Sequence, residues 1–340
     1  MNSQSTTPLQ RRLAGRDIPA IGLGLMGMSE FYGAVDDAES LATLHAAREL
    51  GVRHLDTADT YGSGHNERLL GRFLAGLSPA QRADMVVASK FGIKRPPGTY
   101  ERHIDNSAAY ARAACEASLQ RLGLERIELF YVHRRDPAVP IEELMLTLAD
   151  LKAEGKIGAV GLSEVSEETL RRAHAVLPVA ALQNEYSLWE RSAEQAMLAV
   201  TAELGVAFVA YSPLGRALLS AQLPATQDLA PDDFRRTLPR FNGEAGEHNR
   251  SLAERLAGLA ADWGHSAAQL ALAWVLHQQP HTLVIPGTRR QKHLLSNWAA
   301  GQIHLDPAQV DTLNRLFAPG SVAGSRYTEL GWVGIESARG

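Results

Sequence analysis

The sequence predicts a closed (β/α)8 barrel in a single domain, and three observations carry that prediction. Short apolar runs alternate with longer amphipathic segments along most of the 340 residues, and this alternation implies a parallel sheet covered by helices. Eight such runs can be marked out. Seven of them finish in polar residues, as a barrel requires when its site gathers at the C-terminal ends of its strands.

QRRLAGRDIPA, residues 10–20, reads as a small hairpin turning on Ala14 and Gly15, placed to plug the barrel floor. The expected strands are AIGLGLM (20–26), VRHLDT (52–57), MVVASK (85–90), IELFYVH (127–133), IGAVGLS (157–163), AALQNEY (180–186), VAFVAYS (206–212) and TLVIPGT (282–288). Between them lie helix-like stretches such as DDAESLATLHAAREL, SAAYARAACEASLQRL and PIEELMLTLADLKAEG. The polar residues closing the runs are Asp56, Lys90, His133, Ser163, Gln183 with Asn184, Tyr211 with Ser212, and Thr288. About seventy residues separate the seventh run from the eighth, far more than an ordinary connection. This insertion opens with SPLGR, continues through polar PDDFRRTLPRFNGEAGEHN and resumes helix at Arg250, which suggests a lid or clamp at the mouth. The barrel core is expected over about 18–318, with flexible tails at 1–9 and 325–340.

Composition narrows the partners. With 45% hydrophobic and 21% charged residues the chain is of ordinary globular make-up, and its net charge of −4 argues against nucleic acid or an anionic membrane surface. The lone Cys115 cannot form an internal disulfide, which points to a reducing compartment and a cytoplasmic protein. The N-terminal stretch has basic residues without an apolar run after them, so no signal peptide is expected, and no run has the length of a membrane span.

GLGLMG, residues 22–27, fits a dinucleotide fingerprint, but that motif needs a helix opening on its third glycine. The next residues, MSEFYGAV, have no helical period until about Asp36, which favours a glycine-rich barrel strand. DTADTYG (56–62) offers better chemistry. A tyrosine is a poor proton donor at neutral pH; a lysine cation beside it favours the phenolate, and a carboxylate can hold that lysine. Asp56, Tyr61 and Lys90 form such a relay if their strands are neighbours, and His133 can orient a carbonyl oxygen. Asp59, beyond the strand, reads as solvated or turn-capping, and the helical His45 and His174 as surface residues. No Cys/His cluster suggests a metal. IPGTRRQKHLLSN (285–297) places Arg289, Arg290 and Lys292 at a helix start, where positive charge is disfavoured unless an anion binds.

Taken together, GLGLMGMSEFYG, DTADTYG, ASKFG, YVHRRDP, GLSE, LQNEYSLW, YSPLGR and IPGTRR resemble the aldo-keto reductase superfamily of NADPH-dependent carbonyl reductases over roughly residues 10–320. GLSE, HRRDP and DFRRTLPRF are most similar to the branch of perakine reductase and auxin-induced-type reductases, with pyridoxal reductases nearby. The resemblance implies NADPH as cofactor, a small carbonyl substrate, Tyr61 as proton donor, Lys90 and Asp56 tuning it, and His133 orienting the carbonyl. It implies Ser163, Glu164 and Gln183 at the nicotinamide carboxamide and Tyr211 stacked on the ring, with Leu25 and Met26 flanking it. Ser212, Pro213, Leu214, Gly215 and Arg216 would wrap the pyrophosphate. Gly287, Thr288, Arg289, His293, Ser296 and Asn297 would face the adenosine phosphate. Against the commoner pattern, Glu164 replaces an asparagine, Ala217 a glycine and His293 an arginine. Phe31, Tyr32 and Trp189 are candidates for an apolar pocket wall, with core packing an equal alternative for Trp189. Two rival functions stand beside this one: a Schiff-base aldolase using Lys90, and a nucleotide-holding sensor like the channel-associated relatives. The sequence leaves the substrate and the oligomeric state open.

Overall fold

A computed structural model describes residues 9–96 and 101–337. Its strands are β1 (Gln10–Leu13), β2 (Arg16–Pro19), β3 (Leu23–Gly24), β4 (His54–Asp56), β5 (Val86–Phe91) and β6 (Ile93–Lys94). They continue as β7 (His103–Ile104), β8 (Ile127–Val132), β9 (Ile157–Ser163), β10 (Val179–Glu185), β11 (Ala207–Tyr211) and β12 (Thr282–Val284). The helices used below are α1 (Asp37–Leu50), α2 (His65–Ala75), α3 (Pro79–Ala83), α4 (Ala108–Leu122), α5 (Ile141–Ala153), α6 (Glu167–Val176) and α7 (Met197–Leu204). α8 (Gly243–Asp262), α9 (Ala267–Gln278), α10 (Gln291–Ala299) and α11 (Pro307–Leu316) complete the set.

Eight parallel strands run in the order β12-β11-β10-β9-β8-β5-β4-β3. Parallel bridges Ile21↔Val284 and Gly24↔Gly287 join the two edges, so the barrel closes as expected. The glycines of the 22–27 segment belong to this seam. A Cβ on Gly22 would lie 2.9 Å from the His54 ring and one on Gly24 2.8 Å from the Ile285 carbonyl. Only a short 3-10 turn at Met26–Met28 comes after them, and α1 starts at Asp37, which removes the Rossmann alternative.

The hairpin β1–β2 turns on Ala14 (φ 48) and Gly15 (φ 79), the backbone of a tight two-residue hairpin loop. Its Leu13 and Ile18 join Val86, Ala88, Leu129, Tyr131, Val209 and Leu283 in the barrel interior. A larger apolar layer packs the sheet against the helices. No helix among the described residues is long and apolar enough to cross a membrane.

Two expectations need correction. α8 begins at Gly243, not Arg250, because polar GEAGEHN is helical with buried polar contacts. Asn249 donates to the carbonyls of Arg240 (2.9 Å) and Ala323 (2.8 Å), so its burial is satisfied. The stretch from 325 was expected as a flexible tail, yet residues 325–337 pack across the barrel mouth. Arg326 is 2% and Trp332 7% exposed. Residues 1–8 and 338–340 lie outside the described residues.

Candidate active site

Asp56 closes β4 and Lys90 sits in β5, which pairs with β4 in parallel register. Both side chains are buried, at 2% and 0% exposure. The Lys90 Nζ donates to Asp56 Oδ1, to the Thr57 carbonyl at 2.9 Å and to the Tyr61 hydroxyl at 3.4 Å. Its three protons are thereby all engaged. The other Asp56 oxygen accepts from Gln183 Nε2 at 2.7 Å, across the barrel mouth from β10. His133 comes directly after β8, with its N–H held by the Phe91 carbonyl at 2.8 Å. Its ring stands edge-on to Tyr61 with centroids 5.8 Å apart, and its Nδ1 is buried without a hydrogen-bond partner among the described residues. The structure therefore brings all four expected catalytic residues together.

The electrostatics differ from expectation in one respect. Burial, then the Asp56 charge, pushes the Tyr61 phenol well above its ordinary value, while Arg134 pulls the other way. Lys90 is itself lowered by burial, with Asp56 opposing the shift. The expected net lowering of Tyr61 by Lys90 is thus not met: burial first, and then the carboxylate that fixes the lysine, disfavour a phenolate. Burial, followed by Arg134, Lys90, Arg102 and Arg95, drives the His133 imidazole well below its usual range, so it is neutral.

Sequence reasoning passed over two residues behind this group. Asn66 accepts from Thr57 Oγ1 (2.6 Å) and donates to the Leu25 carbonyl (2.8 Å) and Ser29 Oγ (2.7 Å). It ties the Tyr61 turn to the loop after β3. Asp59 is neither solvated nor a simple cap: the turn doubles back so that its N–H donates to the Lys90 carbonyl at 3.0 Å. Its Oδ1 is buried without a partner among the described residues, and burial followed by nearby Glu67 pushes the carboxyl up to about 8.

The expected cofactor side is occupied differently. Ser163 ends β9 and accepts from Arg134 Nη1 at 3.2 Å. Glu164, at φ 56, is fully buried. Its Oε1 accepts from the Glu185 N–H (3.0 Å) and the Tyr211 hydroxyl (2.7 Å). Its Oε2 accepts from Ser337 and faces Arg326 Nη2 at 3.0 Å. Burial alone would raise this carboxyl, but Arg326 and Arg134 hold it at about 2. Three hydrogen bonds and an ion pair thus hold the Glu164 carboxylate where an amide contact is expected.

Tyr211 lies 3.2 Å, hydroxyl to hydroxyl, from Tyr327 of the C-terminal segment. Arg216 makes two bonds of 2.8 Å to Glu185, so its side chain is committed to that carboxylate. Ser212, Gly215, Arg216 and Ala217 all have positive φ. The alanine at φ 77 holds a backbone conformation that costs roughly 1–2 kcal/mol relative to glycine. Pro213 and Leu214 lie within this turn.

Leu25 and Met26 open the loop after β3, and the Leu25 N–H is held by the Asp56 carbonyl at 2.9 Å. At the far end Gly287 forms the seam bridge, and Thr288 Oγ1 accepts from the Arg290 N–H at 3.1 Å. Arg289 Nη2 donates to the Tyr32 carbonyl at 3.2 Å, while its Nη1 is buried and unpartnered among the described residues. His293, Ser296 and Asn297 lie on α10, whose start has no side-chain cap. Burial, then Arg290 and Lys292, lowers the His293 imidazole. Trp189 packs against Phe241 (5.6 Å) and is 5% exposed, a core residue and not a pocket wall. Among the described residues no cluster is suited to a metal ion.

These features agree with known proteins. The model of the aldo/keto reductase family matches residues 20–318. The glycerol dehydrogenase AKR11B4 from Gluconobacter oxydans is 27% identical, with 94% of this chain and 96% of that one covered at a TM-score of 0.82. An aldo-keto reductase from Klebsiella pneumoniae in complex with NADPH is 26% identical, with 92% and 96% covered at 0.71. The holo form of AKR11C1 from Bacillus halodurans is 25% identical, with 91% and 96% covered at 0.75. With a parallel barrel, a buried Asp56–Lys90–Tyr61 group at its mouth and a family match over most of its length, the chain belongs to the aldo/keto reductase family.

Proposed function

We propose that this protein reduces an aldehyde or ketone to the alcohol with NADPH, and that Tyr61 donates the proton. The observation that carries this reading is the buried contact of Lys90 with both Asp56 and the Tyr61 hydroxyl, beside a neutral His133. A raised phenol remains protonated at neutral pH and still gives its proton readily to an alkoxide, a stronger base than phenolate. Lys90, anchored by Asp56, stabilises the phenolate left behind. The neutral His133 ring can donate a hydrogen bond to the carbonyl oxygen without bringing a second proton into play. Lys90 spends its N–H groups on Asp56, the Thr57 carbonyl and Tyr61, an arrangement that suits an ammonium and weighs against an aldolase.

The residues fit the cofactor at its phosphate end. The orphaned Nη1 of Arg289 and the uncapped start of α10 suit a phosphate group, and the Klebsiella protein shows the fold holding NADPH. When bound, NADPH would supply the hydride. Ser163 and Gln183 would hold its carboxamide end, the 212–216 turn its pyrophosphate, and Arg289 its 2′-phosphate.

Tyr61→Phe should lower kcat by about 10²–10⁴-fold on a good aldehyde while NADPH binding stays near normal. A near-normal kcat would rule Tyr61 out as the acid. Arg289→Ala should weaken NADPH by roughly ten- to a hundredfold and hardly change NADH. Equal losses, measured by fluorescence titration of the two nucleotides, would show that Arg289 supports the loop only.

A further inference from the structure

We infer that the carbonyl compound accepted at this mouth carries an anionic group, a carboxylate or a phosphate, held by Arg134 and Arg102. The inference deepens the reading of the site as a carbonyl reductase and rests on it. Its starting point is the pairing of charges. Lys90, Arg95, Arg135, Arg216 and Arg326 each face a carboxylate: Asp56, Glu30, Glu336, Glu185 and Glu164 respectively. Among the described residues no carboxylate stands within ion-pair distance of Arg102 or Arg134. Neutral oxygens hold them instead. Arg134 Nη1 donates to the His133 carbonyl at 2.6 Å and to Ser163 Oγ at 3.2 Å, and Arg102 Nη2 donates to the Gly331 carbonyl.

A guanidinium buried without a close counter-charge is costly; Arg102 has none, whereas Arg134 is supported from beyond ion-pair distance by Glu164. Arg134 is 5% exposed, and the Nε of each arginine is buried without a partner among the described residues. The two charges also converge on the reacting corner. After burial, Arg134 is the leading influence depressing the His133 imidazole, with Arg102 and Arg95 behind it. Arg102 is itself driven down to about 10, by burial first and then by Arg134 and Arg95. The guanidiniums therefore repel one another beside the histidine expected to hold the carbonyl; Glu30 offsets Arg95 and Glu164 acts on Arg134, and Arg102 has no such carboxylate among the described residues.

An arriving anion would relieve that repulsion and satisfy the idle N–H groups. The planar guanidinium fork suits either carboxylate or phosphate. The nucleotide's own phosphates are not the natural occupants. Their expected partners come after β11 and β12, whereas Arg102 and Arg134 lie beside β7 and β8 on the His133 side. A purely structural role is the competing account, since Arg102 also holds the C-terminal segment through Gly331.

The test compares matched substrates with NADPH: succinic semialdehyde against butanal, 4-carboxybenzaldehyde against benzaldehyde, and glyceraldehyde 3-phosphate against glyceraldehyde. The anionic member of at least one pair should be favoured about ten- to a hundredfold in kcat/KM, chiefly through KM. Whether the carboxylate or phosphate pairs show it names the group. In Arg134→Gln and Arg102→Gln the anionic-to-neutral ratio should fall towards one. That ratio is taken within one preparation, so loss of folded protein does not move it, whereas a merely structural arginine would depress both members alike. A ratio near one in the native protein, or a ratio that survives both substitutions, overturns the inference while leaving carbonyl reduction intact. If no carbonyl is reduced at all, the functional reading fails. Calorimetric titration with benzoate and inorganic phosphate then decides the subsite. Binding lost in Arg134→Gln supports it; no binding of either probe to the native protein overturns it.

Discussion

The two sides of the barrel mouth are built on different plans. On the side of β4, β5 and β8, the reactive residues sit at strand ends and meet because neighbouring strands share register. Lys90 and Asp56 are 34 positions apart, and Lys90 and Tyr61 29. On the side of β9, β10 and β11, the strand-end residues are claimed by the chain's far end: Ser337 reaches Glu164 across 173 positions, and Arg326 lies between Glu164 and Glu185. The first side is a preformed corner of buried Asp56 and Lys90 with Tyr61, the group proposed to be catalytic. The second is a platform under a strap. Tyr327 of the strap meets Tyr211 hydroxyl to hydroxyl, at the rim of the ring on which a nicotinamide is expected to stack.

The largest effect should come from breaking the catalytic corner. Lys90→Met removes the cation beside Tyr61 and strands Asp56 as a buried charge. Besides a kcat loss on the order of 10²–10⁴-fold, breaking such a pair typically costs about 3–5 kcal/mol of stability. Parallel assays and thermal melts should show both losses. Full stability with lost activity would mean that Asp56 finds another partner.

A smaller effect belongs to the strap. Glu164 is held at about 2, below its ordinary 4.5. A depressed carboxyl contributes stability that is complete above about 4.5 and is lost as pH falls towards 2. Glu164→Gln should flatten that part of the acid-unfolding curve and raise hydrogen exchange over residues 326–337. Unchanged exchange there would show that Arg326 anchors the strap through Glu185 alone.

The smallest effect sharpens the contrast within one turn. Asp59 carries a pKa raised to about 8 from 3.8. The folded state keeps a proton that the unfolded chain releases, so stability falls as pH rises from about 3.8 to 8. Asp59→Asn should raise Tm by a few degrees at pH 8 and have little effect at pH 4. A gain of equal size at both pH values would mean that burial of the carboxyl is not its source.

The same contrast shows which residues a linear reading can reach. Asp56 and Asp59 stand three positions apart in DTADTYG, yet one is legible and the other is not. Asp56 ends an apolar strand, and barrel geometry then sends its side chain to the mouth. Asp59 is half-buried, and its Oδ1 is shut off from solvent only because the turn folds back onto β5 and Tyr110 of α4 reaches the carboxyl; no local pattern encodes that. Asn66 is hidden likewise, since its partners at Leu25 and Ser29 lie on another loop.

The sequence by itself determined the barrel, the order of its strands and the set of polar residues delivered to one mouth. Those come from the alternation of strand and helix patterns and from the fixed direction of side chains at strand ends. Only the tertiary structure decided which charges meet. Glu164, expected beside an amide, anchors Arg326 and Ser337. Arg216, expected in the pyrophosphate turn, pairs its side chain with Glu185. The segment after 325 was read as a tail and forms the cover. The physical reason is that a charge's partner is fixed by distance and burial in three dimensions, and segments remote in the chain supply both.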